Sequence, residues 1–211
     1  MRGARVRVRM TRGRRGLAAA ALLLLLPGLA GVEARLRQIE QEGCPAVHDI
    51  VVRAIDAYRV ASIRAILPTD AAMQPLFEEL EAYVARYGAR ADGPPLAVYY
   101  DADYRAADID VEVAVPVAWA LPASARVTVR TLPAVPRAAC VVHAGGYAAL
   151  PVAAGALLAW LGANHSTPSG PLREVYLRFG AAMDGIRLPP AYLAGRSDEY
   201  VTELQQPVTA E

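Results

Sequence analysis

Gly170-Pro171-Leu172-Arg173-Glu174-Val175-Tyr176-Leu177 decides how this chain folds, because it has an earlier echo in Gly93-Pro94-Pro95-Leu96-Ala97-Val98-Tyr99-Tyr100. Each run opens on Gly-Pro punctuation and continues as a short apolar, aromatic-tipped strand. Working outward, other segments recur in the same order. Val52-Arg53-Ala54-Ile55 and Arg59-Val60-Ala61-Ser62-Ile63-Arg64 lie upstream of the first run. Val129-Arg130-Thr131-Leu132 and Arg137-Ala138-Ala139-Cys140-Val141-Val142 lie upstream of the second. Asp56-Ala57 and Pro133-Ala134 interrupt each pair, so each reads as a β-hairpin. Downstream, Ile109-Asp110-Val111-Glu112-Val113-Ala114-Val115-Pro116-Val117 matches Tyr200-Val201-Thr202-Glu203-Leu204-Gln205-Gln206-Pro207-Val208.

A helix fits between the second and third segments of each half. In the first, Thr69 or Asp70 is a suitable N-cap, Leu76, Leu80, Tyr83, Val84 and Tyr87 fall at helical intervals, and Gly88 is a stop. In the second, Tyr147 to Leu161 is rich in Ala and Leu, and Gly162 ends it. Each half is therefore two strands, a helix and two strands. The expected fold class is α+β: duplicated modules, an antiparallel sheet with two helices, and a pseudo-twofold cleft. Repeats of this kind are strong signals because several weak matches must agree in order. The halves are placed at 47–118 and 125–208 of a single unit, 47–208. A cleft between such halves is a usual ligand site.

Charge separates the ends of the chain. Residues 1–43 carry nine Arg against three acids, whereas from Cys44 onward thirteen Arg face eighteen acids. A mildly acidic folded part is a poor match for phosphate, so direct nucleic-acid binding by this unit is not expected. Every basic residue is Arg, which reads as coding bias. Residues 1–34 combine an Arg-rich start, the apolar run Leu17 to Leu26, then Pro27-Gly28 and Val32-Glu33-Ala34. This is the layout of a signal peptide, or a start that replaced something else. The run is short for a membrane span, and stable insertion is not expected. Residues 35–46, with Arg35-Leu36-Arg37-Gln38-Ile39-Glu40-Gln41-Glu42, resemble the remnant of a linker helix. The expected location is the cytoplasm, with export or anchoring through residues 1–34 as the alternative.

Taken together, the quoted strand motifs resemble the GyrI-like (gyrase-inhibitor-like) effector-binding domain, over about Val47 to Val208. The resemblance implies a duplicated strand-helix-strand-strand (SHS2-type) module that serves as the drug-sensing half of MerR- and AraC-type transcription regulators and also occurs alone. A homodimer is one further possibility, and no cofactor is expected. A few relatives are hydrolases of reactive cyclopropane-containing compounds. In drug-sensing relatives an acidic residue in the motif matching Glu174 sits in an aromatic-lined pocket and faces cationic ligands.

The candidate ligand-binding residues are Glu174, Tyr176, Tyr100, Tyr147 and Trp160. Strand alternation groups Leu172, Glu174, Tyr176 and Arg178 on one face, and Arg173, Val175, Leu177 and Phe179 on the other. The second, more apolar set suits the helix-covered side, which leaves Glu174 and Tyr176 toward the cleft. The repeat sets Tyr100 opposite Tyr176 and Val98 opposite Glu174. Tyr147 follows Gly145-Gly146 at the start of the second helix, and Trp160 lies on that helix, where a core position is the commoner fate. An exposed or Arg-paired Glu is the ordinary alternative for Glu174. Glu112 and Glu203 hold matching places and read as structural carboxylates satisfied by backbone amides or an Arg. Cys140 lies in an apolar run and reads as buried. His48, His143 and His165 have no metal-ligand spacing, so no metal site is expected. No catalytic residue is assigned. The reading is a domain that binds hydrophobic small molecules, cationic ones included. The alternatives are a regulator acting with a DNA-binding unit, and a hydrolase with Glu174 as general base.

Overall fold

In the computed structural model, residues 48–89, 91–101, 107–180 and 192–209 are described. The expectations for residues 1–34 and 35–46 lie outside them. The first half supplies β1 (Ile50–Ile55), β2 (Tyr58–Leu67), α1 (Gln74–Arg86), β3 (Leu96–Tyr99) and β4 (Ile109–Pro116). The second supplies β5 (Thr128–Leu132), β6 (Val135–Ala144), α2 (Leu150–Ala163), β7 (Leu172–Gly180), the two-residue β8 (Leu193–Ala194) and β9 (Val201–Pro207). Pro75 and Pro151 lie at the first turns of the helices, where a missing N–H costs nothing. Past the end of α1, Gly88 takes a positive φ of 63°, the left-handed turn that closes a helix.

The strands form one sheet in the order β1-β6-β9-β7-β3-β4-β2-β5, antiparallel throughout, with β8 added parallel to β7. Exchanging β1 with β5, β6 with β2, β9 with β4 and β7 with β3 maps this order onto itself. The pseudo-twofold axis therefore runs between β3 and β7, as a duplication requires.

The expected hairpins do not form. β1 pairs with β6, and β5 pairs with β2, so each half lends its first strand to the other. Asp56-Ala57 and Pro133-Ala134 lack the turn chemistry of a two-residue hairpin. They act as corners. Three residue steps from Ile55 to Tyr58 span at most about 11 Å, yet β1 and β2 sit near opposite ends of the strand order. The sheet must therefore curl until its ends approach. Tyr58 of β2 accordingly packs with Ile55, Val135, Ala138 and Cys140.

This half-barrel buries both faces of its central strands. Every residue of β4 except Asp110 is buried, which is why its sequence is a Val-rich run with little polar alternation. The main core joins α1 through Leu76, Leu80 and Val84 to β2, β3, β4 and β7. A second cluster joins α2 through Leu150, Ala153, Leu157 and Leu161 to Ala139, Val141 and Leu204. Both helices lie on one face, α1 over β2 and β4 and α2 over β6. The central strands β3, β7 and β9 run between them.

Candidate functional site

Residue pairing fixes which side chains share a face. Ala97 of β3 stands beside Glu174 of β7, and Tyr99 beside Leu172. Tyr176 stands beside Thr202 of β9, and Thr202 beside His143 of β6. Met73 and Phe77 from the start of α1 reach this row. The Met73 sulfur lies 4.0 Å from the Tyr99 hydroxyl, and Phe77 meets the Tyr176 ring edge-on at 5.8 Å. Glu174 and Tyr176 thus lie under the helices. The expectation that this strand's second set would face the helices is corrected for Arg173 and Val175: they face the buried concave side of the curled sheet, which needs apolar residues just as much. Strict alternation also stops at Tyr176, where the β7–β9 register shifts.

Glu174 is 2% exposed. Its Oε2 accepts hydrogen bonds from the Tyr99 hydroxyl at 3.0 Å and the Tyr176 hydroxyl at 3.1 Å. Two phenol donors on one carboxylate oxygen offset part of the cost of burying the charge. The phenols respond in turn. Burial, and next the neighbouring Glu174 charge, push the Tyr176 hydroxyl well above its ordinary pKa. Tyr176 therefore stays a donor across the accessible pH range. Tyr147 packs edge-on to Tyr176 at 5.7 Å and against Tyr200 at 5.0 Å. It is 42% exposed, so it is the ring that stands between this cluster and solvent. Burial, then Tyr200 and Glu174, raise its pKa too.

Of the five candidates, Glu174, Tyr176 and Tyr147 come together. Tyr100 does not join them. It lies on the opposite face of the sheet, where its hydroxyl donates to Glu112 Oε2 at 2.6 Å and the Arg64 guanidinium stacks 3.6 Å above its ring. Trp160 is half-buried against the core cluster under α2. The residue that faces Tyr176 across the repeat is Tyr99. The repeat pairs Gly93-Pro94 with Gly170-Pro171 and Val98-Tyr99 with Val175-Tyr176, one residue away from the register that matches Pro95-Leu96 to Pro171-Leu172. A one-residue slip turns a strand over. Tyr99 could have been found from the sequence by requiring the two tyrosines to share a face. Met73, Phe77 and Tyr200 carried no such signal.

The concave face holds the two matched carboxylates, each with its own Arg. Arg53 donates to Glu203 Oε2 at 2.6 Å, and Arg130 donates from Nε to Glu112 Oε1 at 2.9 Å and from Nη2 to Oε2. Arg53 and Arg130 are equivalent under the pseudo-twofold, so this is one ion pair built twice, each time between halves. Burial alone would raise the Glu112 pKa, but hydrogen bonds from Arg130, Ser62 and Tyr100 hold it below the ordinary range. The Arg130, Glu112, Arg64 and Tyr100 side chains, with Ser62 and Thr128, line a shallow open recess. Arg173, also on this side, is buried and donates to the Pro133 carbonyl at 3.2 Å. Cys140 is buried there as well. Among the described residues no three His, Cys, Asp or Glu side chains are grouped to hold a metal ion, and no helix is long and apolar enough to cross a membrane.

A duplicated, strand-exchanged half-barrel with two helices over one face is the GyrI-like fold. Solved structures agree. The C-terminal domain of EcmrR superposes with a TM-score of 0.67 at 24% identity, covering 78% of this chain and 99% of that one. EcmrR in a cryo-EM complex with DNA gives 0.69 at 22% identity over 87% of this chain, which spans 65% of that longer chain. A conserved protein from Listeria innocua gives 0.53 at 10% identity, covering 82% of this chain and 98% of the other. No protein-family model matches the sequence, and no curated protein matches it.

Proposed function

We propose that this chain is an effector-binding domain that takes hydrophobic small molecules, cationic ones included, over Glu174, in the cytoplasm. The observation that supports this most is a buried carboxylate held by two phenols and screened from water by the Tyr147 ring. A cation bound beside such a carboxylate gains Coulomb attraction away from bulk water. Phe77, Tyr99, Tyr147 and Tyr176 add apolar area and cation–π attraction of roughly 0.5–2 kcal/mol per well-placed ring. A ligand enters by displacing Tyr147, which has solvent on one side. Trp160 and Tyr100 take no part in this reading.

The test is titration of wild type and Glu174→Gln with a lipophilic cation and a neutral ligand of the same shape. Coulomb attraction at about 4 Å is worth roughly 1–4 kcal/mol between the dielectric limits of water and a protein surface. The cation should bind at least several-fold more weakly to the variant while the neutral ligand is unaffected. Equal losses for both would mean that Glu174 supports the pocket without reading charge.

A second reading, that the domain biases a DNA-binding unit, draws on the likeness to a chain solved on DNA. Salt-sensitive, sequence-specific DNA binding by the full chain, altered by the lipophilic cation, would favour it. Turnover of a strained electrophile, abolished in Glu174→Gln, would instead favour a hydrolase.

A further inference from the structure

Helix α1 presents three longitudinal stripes. Leu76, Leu80 and Val84 point down into the core. Glu79 and Tyr83 form one flank, tied to the chain's 122–126 region: Arg126 donates to Glu79 at 2.7 Å and the Tyr83 hydroxyl donates to the Pro122 carbonyl. The opposite flank carries Met73, Phe77 and Glu81 at intervals of four, so they stack along one side of the helix. Met73 meets Tyr99 and Phe77 meets Tyr176. Glu81 is the next residue on that line, one turn further on.

Glu81 is as unusual as Glu174. It is 3% exposed, and its Oε1 is fully buried with no hydrogen-bond partner among the described residues. On the same face of the sheet, Thr202 beside Tyr176 also has a buried hydroxyl without a partner among the described residues. Buried polar atoms are nearly always satisfied, and an unpaired acceptor costs about 1–3 kcal/mol. Two such atoms on the helix-covered side of the sheet, where Met73 and Phe77 meet Tyr99 and Tyr176, are what a ligand's donors would complete. Burial, and then the nearby Glu78 charge, raise the Glu81 carboxyl to about 7. In the free protein it can therefore avoid carrying an uncompensated charge, and an arriving cation would hold it ionised.

We infer that Glu81 is a second anionic recognition point of the Glu174 site, and that the site prefers ligands with two separated cationic donor groups, such as aromatic bis-amidines, over their mono-cationic counterparts. This rests on the binding reading above. Glu174 takes the group lodged among Tyr99, Tyr176 and Phe77, and Glu81 and the Thr202 hydroxyl take the second.

The experiment is calorimetric titration of the full chain with an aromatic bis-amidine and the mono-amidine of the same scaffold, using wild type, Glu81→Gln and Glu174→Gln. Wild type should prefer the bis-amidine by about tenfold, which is 1.4 kcal/mol. Glu81→Gln should reduce that preference to about twofold or less while leaving the mono-amidine affinity unchanged, and Glu174→Gln should weaken both ligands. Glu81→Met, similar in length and uncharged, must give the same result and serves if the Gln variant folds poorly. No preference in wild type, a preference that survives both Glu81 variants, or equal loss of both ligands in them would overturn the inference. If instead Glu174→Gln changes neither affinity, the binding reading itself has failed, a distinct outcome.

Discussion

Glu81 makes the stability of the protein depend on pH in a direction opposite to that of most carboxylates. Its pKa is about 7 in the folded chain against an ordinary 4.5. A carboxyl with a raised folded pKa stabilises the fold while protonated, and that contribution is lost as pH rises through the folded value. The full difference of 2.5 units corresponds to about 3 kcal/mol. Between about pH 5.5 and about pH 8.5 the loss is roughly 2 kcal/mol, because the unfolded group is already mostly ionised at the lower end. Glu79, Asp110 and Glu112 have lowered pKa values and lose their stabilisation only at more acidic pH, outside this window. Urea unfolding across the window should therefore show the wild-type midpoint falling with pH. Glu81→Gln should remove most of that slope and leave the variant the more stable protein at the alkaline end. If wild type and variant run parallel, Glu81 is not held protonated by burial and the argument from its environment is wrong.

Three other outcomes follow from contacts in the fold. Glu112→Ala should cost about 2 kcal/mol in denaturant unfolding, because it leaves the half-buried Arg130 guanidinium without its carboxylate; a cost near zero would show that solvent already compensates Arg130. Tyr99→Phe and Tyr176→Phe each remove one hydroxyl donor from Glu174 and should each destabilise the protein by about 1–3 kcal/mol, with less than additive losses in the double variant if the phenols compensate for one another. Gly180→Ala should alter ligand affinity more than stability, read by paired titration and thermal unfolding. An added Cβ would lie 2.6 Å from the Tyr200 hydroxyl, and Tyr200 supports Tyr147, so a shift there reaches the outermost ring of the site.

The order of elements was legible in the sequence because the duplication repeats every strand and helix, and tight local signals such as Gly88 and Gly162 mark the helix ends. Glu112 and Glu203 were legible as structural carboxylates, since a catalytic group has no reason to occur symmetrically. Strand pairing was not legible. Asp56-Ala57 looks the same in sequence whether it closes a hairpin or turns a corner, and only the curl of the whole sheet decides which. Face assignment failed for a related reason. In a half-barrel both sides of β7 are buried, so hydrophobicity no longer tells the helix side from the concave side, and Arg173 and Glu174 are buried on opposite faces within one residue. Tyr99 was hidden by its neighbour Tyr100, because adjacent tyrosines satisfy either register. Glu81 was unreadable as anything but a solvated helical Glu until the flank bearing Phe77 was seen to face inward.

The exchange of β1 and β5 gives the chain an unusual mechanical wiring. Whatever lies upstream of residue 48 is attached through β1 to β6, in the half that lies second in sequence. β6 runs directly into Gly145 and Gly146 and then Tyr147, the ring packed against Tyr176. A displacement of Tyr147, as the proposed binding requires, would therefore be felt one strand away from the point where the upstream chain is anchored, with no need to pass through the first half. Pulling on the N-terminal side would load the same strand pair from the other direction. The two halves also cannot be parted as independent modules, since each would leave with its neighbour's edge strand missing.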